Sequence, residues 1–257
     1  MTAVVMSLNR VARFVAVEFA IWGVVYGSYL ALRSAAIARP GEALKHAHAV
    51  VGLEQTLGLF QEARIQHASD AVAGLLSAYY LVGFGPLLAL TVVWLLLRRP
   101  QHYRDLRTVL LISIAIASVV YVAYPVAPPR LADLGIADTV GLSAHDTGSF
   151  MGVRFDPYAA MPSMHVGWSL LLGVYGVLAA PPPIVRTFFS IHPALMVLAV
   201  TATGNHYVLD SIAGAAVAGL AFALVRLASR LSVRRQLTNL PGRAHRRPLI
   251  SERSTFR

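Results

Sequence analysis

Apolar and polar positions divide the chain into long runs separated by polar, Pro-rich or Arg-rich connections. The first run, 14–32, follows Arg10 and Arg13 and holds one acid, Glu18. Further runs follow at 71–97, 108–124, 164–180, 187–203 and 207–225, and only the last of these contains an acid, Asp210. Each approaches the ~20 apolar residues a helix needs to cross a ~30 Å hydrocarbon core, so the pattern predicts six membrane-spanning helices. Pro86 predicts a kink in the second. Residues 39–70 are mixed instead. There Val50, Leu53, Leu57 and Phe60 recur at helical spacing among charged residues, which predicts an amphipathic helix at the membrane interface. His46 and His48 are two residues apart, not three or four, and read as solvated surface residues rather than metal ligands. A signal peptide ending near Ala36-Ile37-Ala38 is a rival reading of the first run. That run exceeds the ~7–15 apolar residues of a secretory segment, which favours a retained span. Glu18 reads as a carboxylate snorkelling toward Arg13 or water.

Composition narrows the class. Of 257 residues, 56% are hydrophobic and 13% charged, against about 25% charged in a soluble domain that must wet its own surface. The expected fold is an all-α integral membrane bundle of six spans with one interfacial helix, residues 1–228 forming a single catalytic domain. From Ser229 onward eight Arg and one acid follow without apolar periodicity. This part, 229–257, reads as a disordered basic tail held near anionic lipid headgroups. With no Cys in the chain, disulfides are excluded. The net charge of +10 is expected to set topology and lipid contact, not nucleic-acid binding. With the N-terminus inside, Arg10 and Arg13, the cluster Arg98–Arg107, Arg186 and the tail all fall on inner loops. Arg33, Arg39, Lys45 and Arg64 on the first outer segment weigh against this, offset by Glu42, Glu54, Glu62 and Asp70. Both termini are then cytoplasmic, and a bacterial cell membrane is the expected location.

This orientation places three distant residues on one membrane face. His165 starts span four, His206 starts span six, and Arg130 follows the end of span three. Asp210, four residues after His206, shares its helix face. An acid inside an apolar span is expensive unless partnered, so Asp210 is expected to hydrogen-bond one nitrogen of His206 and raise the nucleophilicity of the other. The chemistry such a set supports is phosphoryl transfer through a covalent intermediate. His206 would attack phosphorus, His165 would serve as acid and then base, and Arg130 would hold phosphate oxygens with its fixed fork of donors. Ser163 stands at the predicted N-cap of span four, where its hydroxyl and the free amides of the first turn suit an anion. No carboxylate cluster of metal-ligand type is visible, so neither metal nor cofactor is expected.

At these residues a family resemblance becomes specific. Ala160-Met161-Pro162-Ser163-Met164-His165 and Gly204-Asn205-His206-Tyr207-Val208-Leu209-Asp210, preceded by Tyr124-Pro125-Val126-Ala127-Pro128-Pro129-Arg130, resemble the type 2 phosphatidic acid phosphatase (PAP2) superfamily. They look most like its inositolphosphotransferase branch, the inositol phosphorylceramide synthase type. The resemblance spans roughly residues 109–219. It implies a six-helix core, no metal and a phosphohistidine, with His206, His165 and Asp210 catalytic. The phosphatase pattern has a Lys upstream of an Arg-Pro pair, a Gly before the motif His and an Arg six residues before the last His. Here no Lys lies near Arg130, Leu131 follows it, Met164 replaces the Gly and Val200 replaces the Arg. These departures lean toward the transferase branch, with Arg154 from the same outer loop supplying part of the missing charge. The implied substrate is a lipid or polyprenyl phosphate, with an alcohol such as a polyol headgroup as acceptor, or water in a lipid phosphatase. A His/Asp proton-coupled transporter would need polar residues along a whole path. A membrane scaffold would leave the convergent set without a purpose. Simpler readings stand beside the functional ones. Asn205 reads as a helix cap, His192 before Pro193 as packing, and Tyr121, Tyr124 and Tyr207 as an aromatic belt. Gly214 with Ala218, and Ala215 with Gly219, read as close helix packing.

Overall fold

The computed structural model describes residues 13–24, 27, 39–140, 149–150, 153–154, 158–180 and 182–238. The signal-peptide motif at 36–38 lies outside them. Helix α1 covers residues 13–24. It is followed by α2 (Pro40–Leu57), α3 (Glu62–Ala68), α4 (Ala73–Ala78), α5 (Phe84–Arg98), α6 (Pro100–Ala123), α7 (Met164–Ala179), α8 (Pro183–Ala202) and α9 (Val208–Thr238). A two-residue antiparallel pair, β1 (Ser149–Phe150) and β2 (Val153–Arg154), interrupts an otherwise helical chain.

Three helix boundaries differ from the apolar pattern for local reasons. α6 begins at Pro100, not 108, and α8 at Pro183, not 187. Proline at the first helical position loses no hydrogen bond and presets φ, so each helix starts at its proline. Arg104 and Arg107 therefore ride on α6. α9 runs past the expected boundary at 228 to Thr238. Residues 229–238 are mostly helix formers without Gly or Pro, and the first breakers are Pro241 and Gly242. The expected tail is thus helical in its first part, while 239–257 lie outside the described residues.

Among the described residues three helices are long and apolar enough to cross a membrane: 100–123, 183–202 and 208–232. A fourth span forms if 70–81 and 84–98, which meet at 44°, are taken together. α7 is apolar but has 16 residues. The break in the second run lies at a turn of π-helix, Tyr79–Gly83, ahead of Pro86. Pro86 cannot donate to the carbonyl of residue 82, so the hydrogen-bond ladder yields just before it. In each candidate span less than two fifths of the apolar window is buried inside the protein. Leu90, Leu97, Val119, Ile184, Ile191 and Leu220 point outward, each more than half exposed. Such a surface fits lipid, not water.

α7 sits at the centre, packed against α5, α6, α8 and α9. Leu106, Val109 and Leu110 of α6 meet Leu171, Leu172 and Tyr175 of α7, Phe189 of α8, and Ala218 and Ala221 of α9. α7 and α9 touch backbone to backbone. A Cβ on Gly167 would lie 2.7 Å from the Gly214 carbonyl oxygen, and one on Gly214 would lie 2.0 Å from the Ser163 carbonyl oxygen. This crossing sets Ser163 and His165 beside the first turns of α9. Gly214 and Ala218 therefore pack as the sequence predicts. A Cβ on Gly219 meets nothing within 4 Å, so the Ala215–Gly219 side is not a close-packed face.

Glu18 does not snorkel toward Arg13. It accepts from the Tyr103 hydroxyl at 2.5 Å and pairs with Arg107, tying α1 to the start of α6. The amphipathic segment is two helices, and its buried face differs from the predicted one. Ala43, Ala47, Val50, Val51 and Glu54 of α2 are buried, whereas Leu53 and Leu57 are exposed. Two glutamates, Glu54 here and Glu62 in α3, displace apolar residues from the expected inner face because they reach the start of α9. His46 is half-buried, stacked on Tyr124 at 3.8 Å between ring centroids, with Nδ1 2.8 Å from the Pro125 carbonyl oxygen. Only His48 is the solvated histidine expected of both.

Candidate active site

The loop between α8 and α9 builds one wall of the site. Gly204 adopts φ 68°, the left-handed conformation that closes a helix C-terminus, and the Asn205 and His206 amides both donate to the Val200 carbonyl at 3.0 and 3.1 Å. The chain reverses within a few residues and His206 emerges at the head of α9. The Gly204 carbonyl also accepts from the Arg130 amide at 3.0 Å, and a Cβ on Gly204 would lie 3.2 Å from the Arg130 Cβ. Glycine is required there twice over, for conformation and for the approach of Arg130.

A second wall comes from the segments 125–131 and 158–165. The Val126 amide donates to Tyr158 at 2.8 Å and the Ala160 amide to Val126 at 3.2 Å, while Ala127 is anchored to Ala43 of α2 at 3.1 Å. The Tyr121 hydroxyl holds the Pro162 carbonyl at 2.8 Å. Ser163 is the N-cap of α7 as predicted, its hydroxyl accepting from the Val166 amide at 3.5 Å, and its own amide donates to the Asp210 carbonyl at 2.9 Å.

His206, His165, Asp210, Arg130 and Ser163 converge on this end of the bundle. The rings of His165 and His206 are 5.8 Å apart between centroids. His206 Nδ1 lies 2.8 Å from the Ala160 carbonyl oxygen and 3.4 Å from Asp210 Oδ2. The carbonyl, not the carboxylate alone, thus fixes the imidazole, and Nδ1–H donation leaves Nε2 with its lone pair. Asp210 is fully buried, and Oδ2 also accepts from the Tyr207 amide at 2.9 Å. It closes the head of its own helix from the third position as well as facing His206.

Arg130 is held from two sides. Its Nε donates to Asn205 Oδ1 at 3.0 Å, and Nη1 is 4.0 Å from Asp138 Oδ2. Burial lowers its pKa from the ordinary guanidinium value, opposed by the nearby Asp138 and Tyr80. It stays a cation, weakly hydrated and aimed. Asn205, read from sequence as a cap, is instead a bracket: Nδ2 bonds the Thr203 hydroxyl at 2.8 Å while Oδ1 receives Arg130. Asn205→Ala removes that acceptor. A hydrogen bond to a charged group contributes about 1.5–3 kcal/mol, so steady-state kinetics on a phosphate ester should show KM raised about tenfold or more. Unchanged KM would separate Asn205 from phosphate binding.

Arg154 lies in β2, and its side chain is outside the described residues. Tyr80 was not predicted. It is buried, its ring 4.6 Å from that of His165 between centroids, and it bears on Arg130 electrostatically. The π turn aims it there, a signal that apolar periodicity does not carry. Val200, where the phosphatase pattern has Arg, is fully buried and packs with Tyr80, Val166 and Met196. His192 is not mere packing, since its Nδ1 bonds the Tyr79 hydroxyl on the same π turn. Among the described residues no group of three His, Asp or Glu is arranged to hold a metal ion.

Apolar helices with lipid-facing surfaces, carrying at one end a His–His–Asp–Arg set in which His206 and Asp210 are buried and His165 and Arg130 half-buried, fit a membrane protein. A family model described as the PAP2 superfamily matches residues 48–224, and the chain belongs to that superfamily. Its members are generally phosphatases or phosphotransferases, and membership supports an enzyme of that class. No curated protein and no solved structure matches the chain.

Proposed function

We propose that the protein is a lipid-linked phosphotransferase of the inositolphosphotransferase type, acting through a phosphohistidine on His206 at the outer membrane face. The observation that carries this reading is the pair of histidine rings 5.8 Å apart, one with Nδ1 already committed to Ala160. Nε2 of His206 attacks phosphorus, a P–N bond forms and the P–O bond to the lipid alkoxide breaks. His165 gives the alkoxide its proton. An acceptor hydroxyl then returns a proton to His165, its oxygen bonds phosphorus and the P–N bond breaks. Arg130 and the Ser163 turn take the charge on the phosphate oxygens. Arg154 adds to that charge from the outer loop. Residues that would grip phosphate in a phosphatase, such as an Arg at Val200, are replaced by apolar contacts. This favours a site that admits an alcohol such as a polyol headgroup. Hydrolysis of a lipid or polyprenyl phosphate remains the same chemistry with water as acceptor.

In this reading the run beginning in α1 and the short α7 complete six spans, and both termini are cytoplasmic. Residues beyond 228 follow the inner leaflet, where their Arg side chains meet anionic headgroups. The chain has no native Cys, which makes the orientation simple to check. A cysteine at the exposed Asp133 should react with an impermeant thiol reagent on intact cells, and one at the exposed Ser232 should not. The opposite pattern would put the site on the inner face. The function itself is tested with purified protein and a panel of phosphate-bearing lipids, with and without polyol acceptors, following free phosphate and new lipid separately. New phosphodiester lipid, formed in the presence of a strong chelator, supports the reading. Free phosphate alone would make the protein a phosphatase, and loss of activity restored by Mg²⁺ or Zn²⁺ would replace the mechanism.

A further inference from the structure

Three carboxylates meet the head of α9. The Leu209 amide donates to Glu54 Oε1 at 2.6 Å, the Val208 amide to Glu62 Oε1 at 2.9 Å and the Tyr207 amide to Asp210 Oδ2 at 2.9 Å. All three acidic residues are 0% exposed. The first amides of a helix lack partners and carry partial positive charge, so one acid there is ordinary. Here two more come from helices 155 and 146 residues earlier in the chain. Burying them costs far more than capping a helix requires. The helix they grip is the one that carries Asp210, and His206 stands two residues before its start.

Two carboxylates this close do not both ionise readily. Burial, then a hydrogen bond with Glu62, push the Glu54 carboxyl up to about 8, opposed by the Leu209 amide and reinforced by the charges of Glu62 and Asp210. The outer oxygens, Glu54 Oε2 and Glu62 Oε2, are buried and meet no hydrogen-bond partner. The titratable groups around the pair are Asp210 on α9, Tyr207 in the turn before it and, beyond Asp210, His206. The Tyr207 hydroxyl is itself pushed up by burial and by Asp210, Glu62 and Glu54. A second negative charge on the pair therefore arrives beside two existing ones.

We propose that Glu54 and Glu62 are positioning residues for His206: two buried carboxyl side chains on consecutive amides, which clamp the head of α9 and so fix where Nε2 points. This rests on the reading of His206 as the nucleophile. The folded-state value of Glu54 lies above its ordinary 4.5. Its contribution to stability is thus complete below that value and is lost as pH rises through about 8. Above that pH the clamp carries two charges and loosens. The segment α2–α3, which the sequence presents only as an interfacial helix, becomes part of the catalytic apparatus.

The test uses the full chain in detergent, with 4-nitrophenyl phosphate turnover and hydrogen exchange of the peptide covering 204–212, both followed across pH 6–10. In the wild type, amide protection beyond the intrinsic pH effect should decline as pH rises toward about 8, and kcat should fall as pH passes it. Glu54→Gln keeps an acceptor for the Leu209 amide and a donor for Glu62 but cannot ionise, so both limbs should move to higher pH. Glu54→Ala should lower kcat at neutral pH, by roughly 100-fold if the nucleophile shifts by an ångström, with KM little changed. Glu54→Gln titrating like the wild type would overturn the proposal even if the Ala variant fails to fold. So would Glu54→Ala with wild-type kcat while His206→Ala is inactive. An active His206→Ala would instead remove the nucleophile assignment, and the exchange arm would still decide whether the pair holds the helix.

Discussion

Replacing His206 by Ala should abolish turnover and the phosphoenzyme together. Nε2 of His206 combines a lone pair with a fixed ring that faces His165, since Nδ1 is engaged by Ala160 at 2.8 Å and faced by Asp210 at 3.4 Å. Loss of a covalent nucleophile removes a whole reaction step, not one contact, and losses above about 10⁴-fold are typical. The variant should fold normally. The side chain lies at the end of the bundle, and the α7–α9 crossing at Gly167 and Gly214 does not involve it. Binding of a phosphate ester should survive, because Arg130 keeps its bracket of Asn205 and Asp138. A variant that bound substrate poorly but still formed phosphoenzyme would reverse this ordering of roles.

Replacing His165 by Ala should divide substrates by leaving group. His165 is packed by Tyr80 and Phe84, with ring centroids 4.6 and 5.0 Å away, and faces His206 across the gap where phosphorus would sit. Its proposed task is to protonate the departing alkoxide. A lipid alkoxide is a poor leaving group and should need it, whereas nitrophenolate leaves without help. General acid catalysis contributes about 10²–10⁴-fold, and the loss on a lipid substrate should exceed the loss on 4-nitrophenyl phosphate by that order. The comparison is made on single-turnover phosphorylation rates. Equal losses on both substrates, with no phosphoenzyme from either, would exchange the two histidines.

Much of this site is legible in the sequence. The ordered motifs around Arg130, Ser163–His165 and His206–Asp210 name residues that the structure brings to one end of the bundle. The N-cap role of Ser163 and the Gly214–Ala218 packing followed from local rules that hold whatever surrounds them. What stayed hidden was long-range. Glu54 and Glu62 look like the polar side of an interfacial helix, since their partners are backbone amides of residues 208 and 209 and leave no mark on side-chain pattern. Tyr80 sits in an uncharged run, and only the π turn before Pro86 aims it at His165. Asn205 offered a capping side chain, and its bond to Arg130 depends on the left-handed turn at Gly204. The apolar pattern misplaces helix ends where proline at a first helical position carries α6 and α8 beyond their apolar cores.

The central claim is a covalent phosphoryl intermediate on one named nitrogen. Rapid acid-free quenching during turnover of a radiolabelled phosphate ester, followed by proteolysis and mass spectrometry, locates that group directly. The account predicts a phosphoramidate on the peptide containing His206, labile in acid and stable in base, that appears and decays at rates compatible with turnover. Label on His165, label on a serine with the opposite acid stability, or a single-displacement reaction that inverts configuration at phosphorus would contradict it.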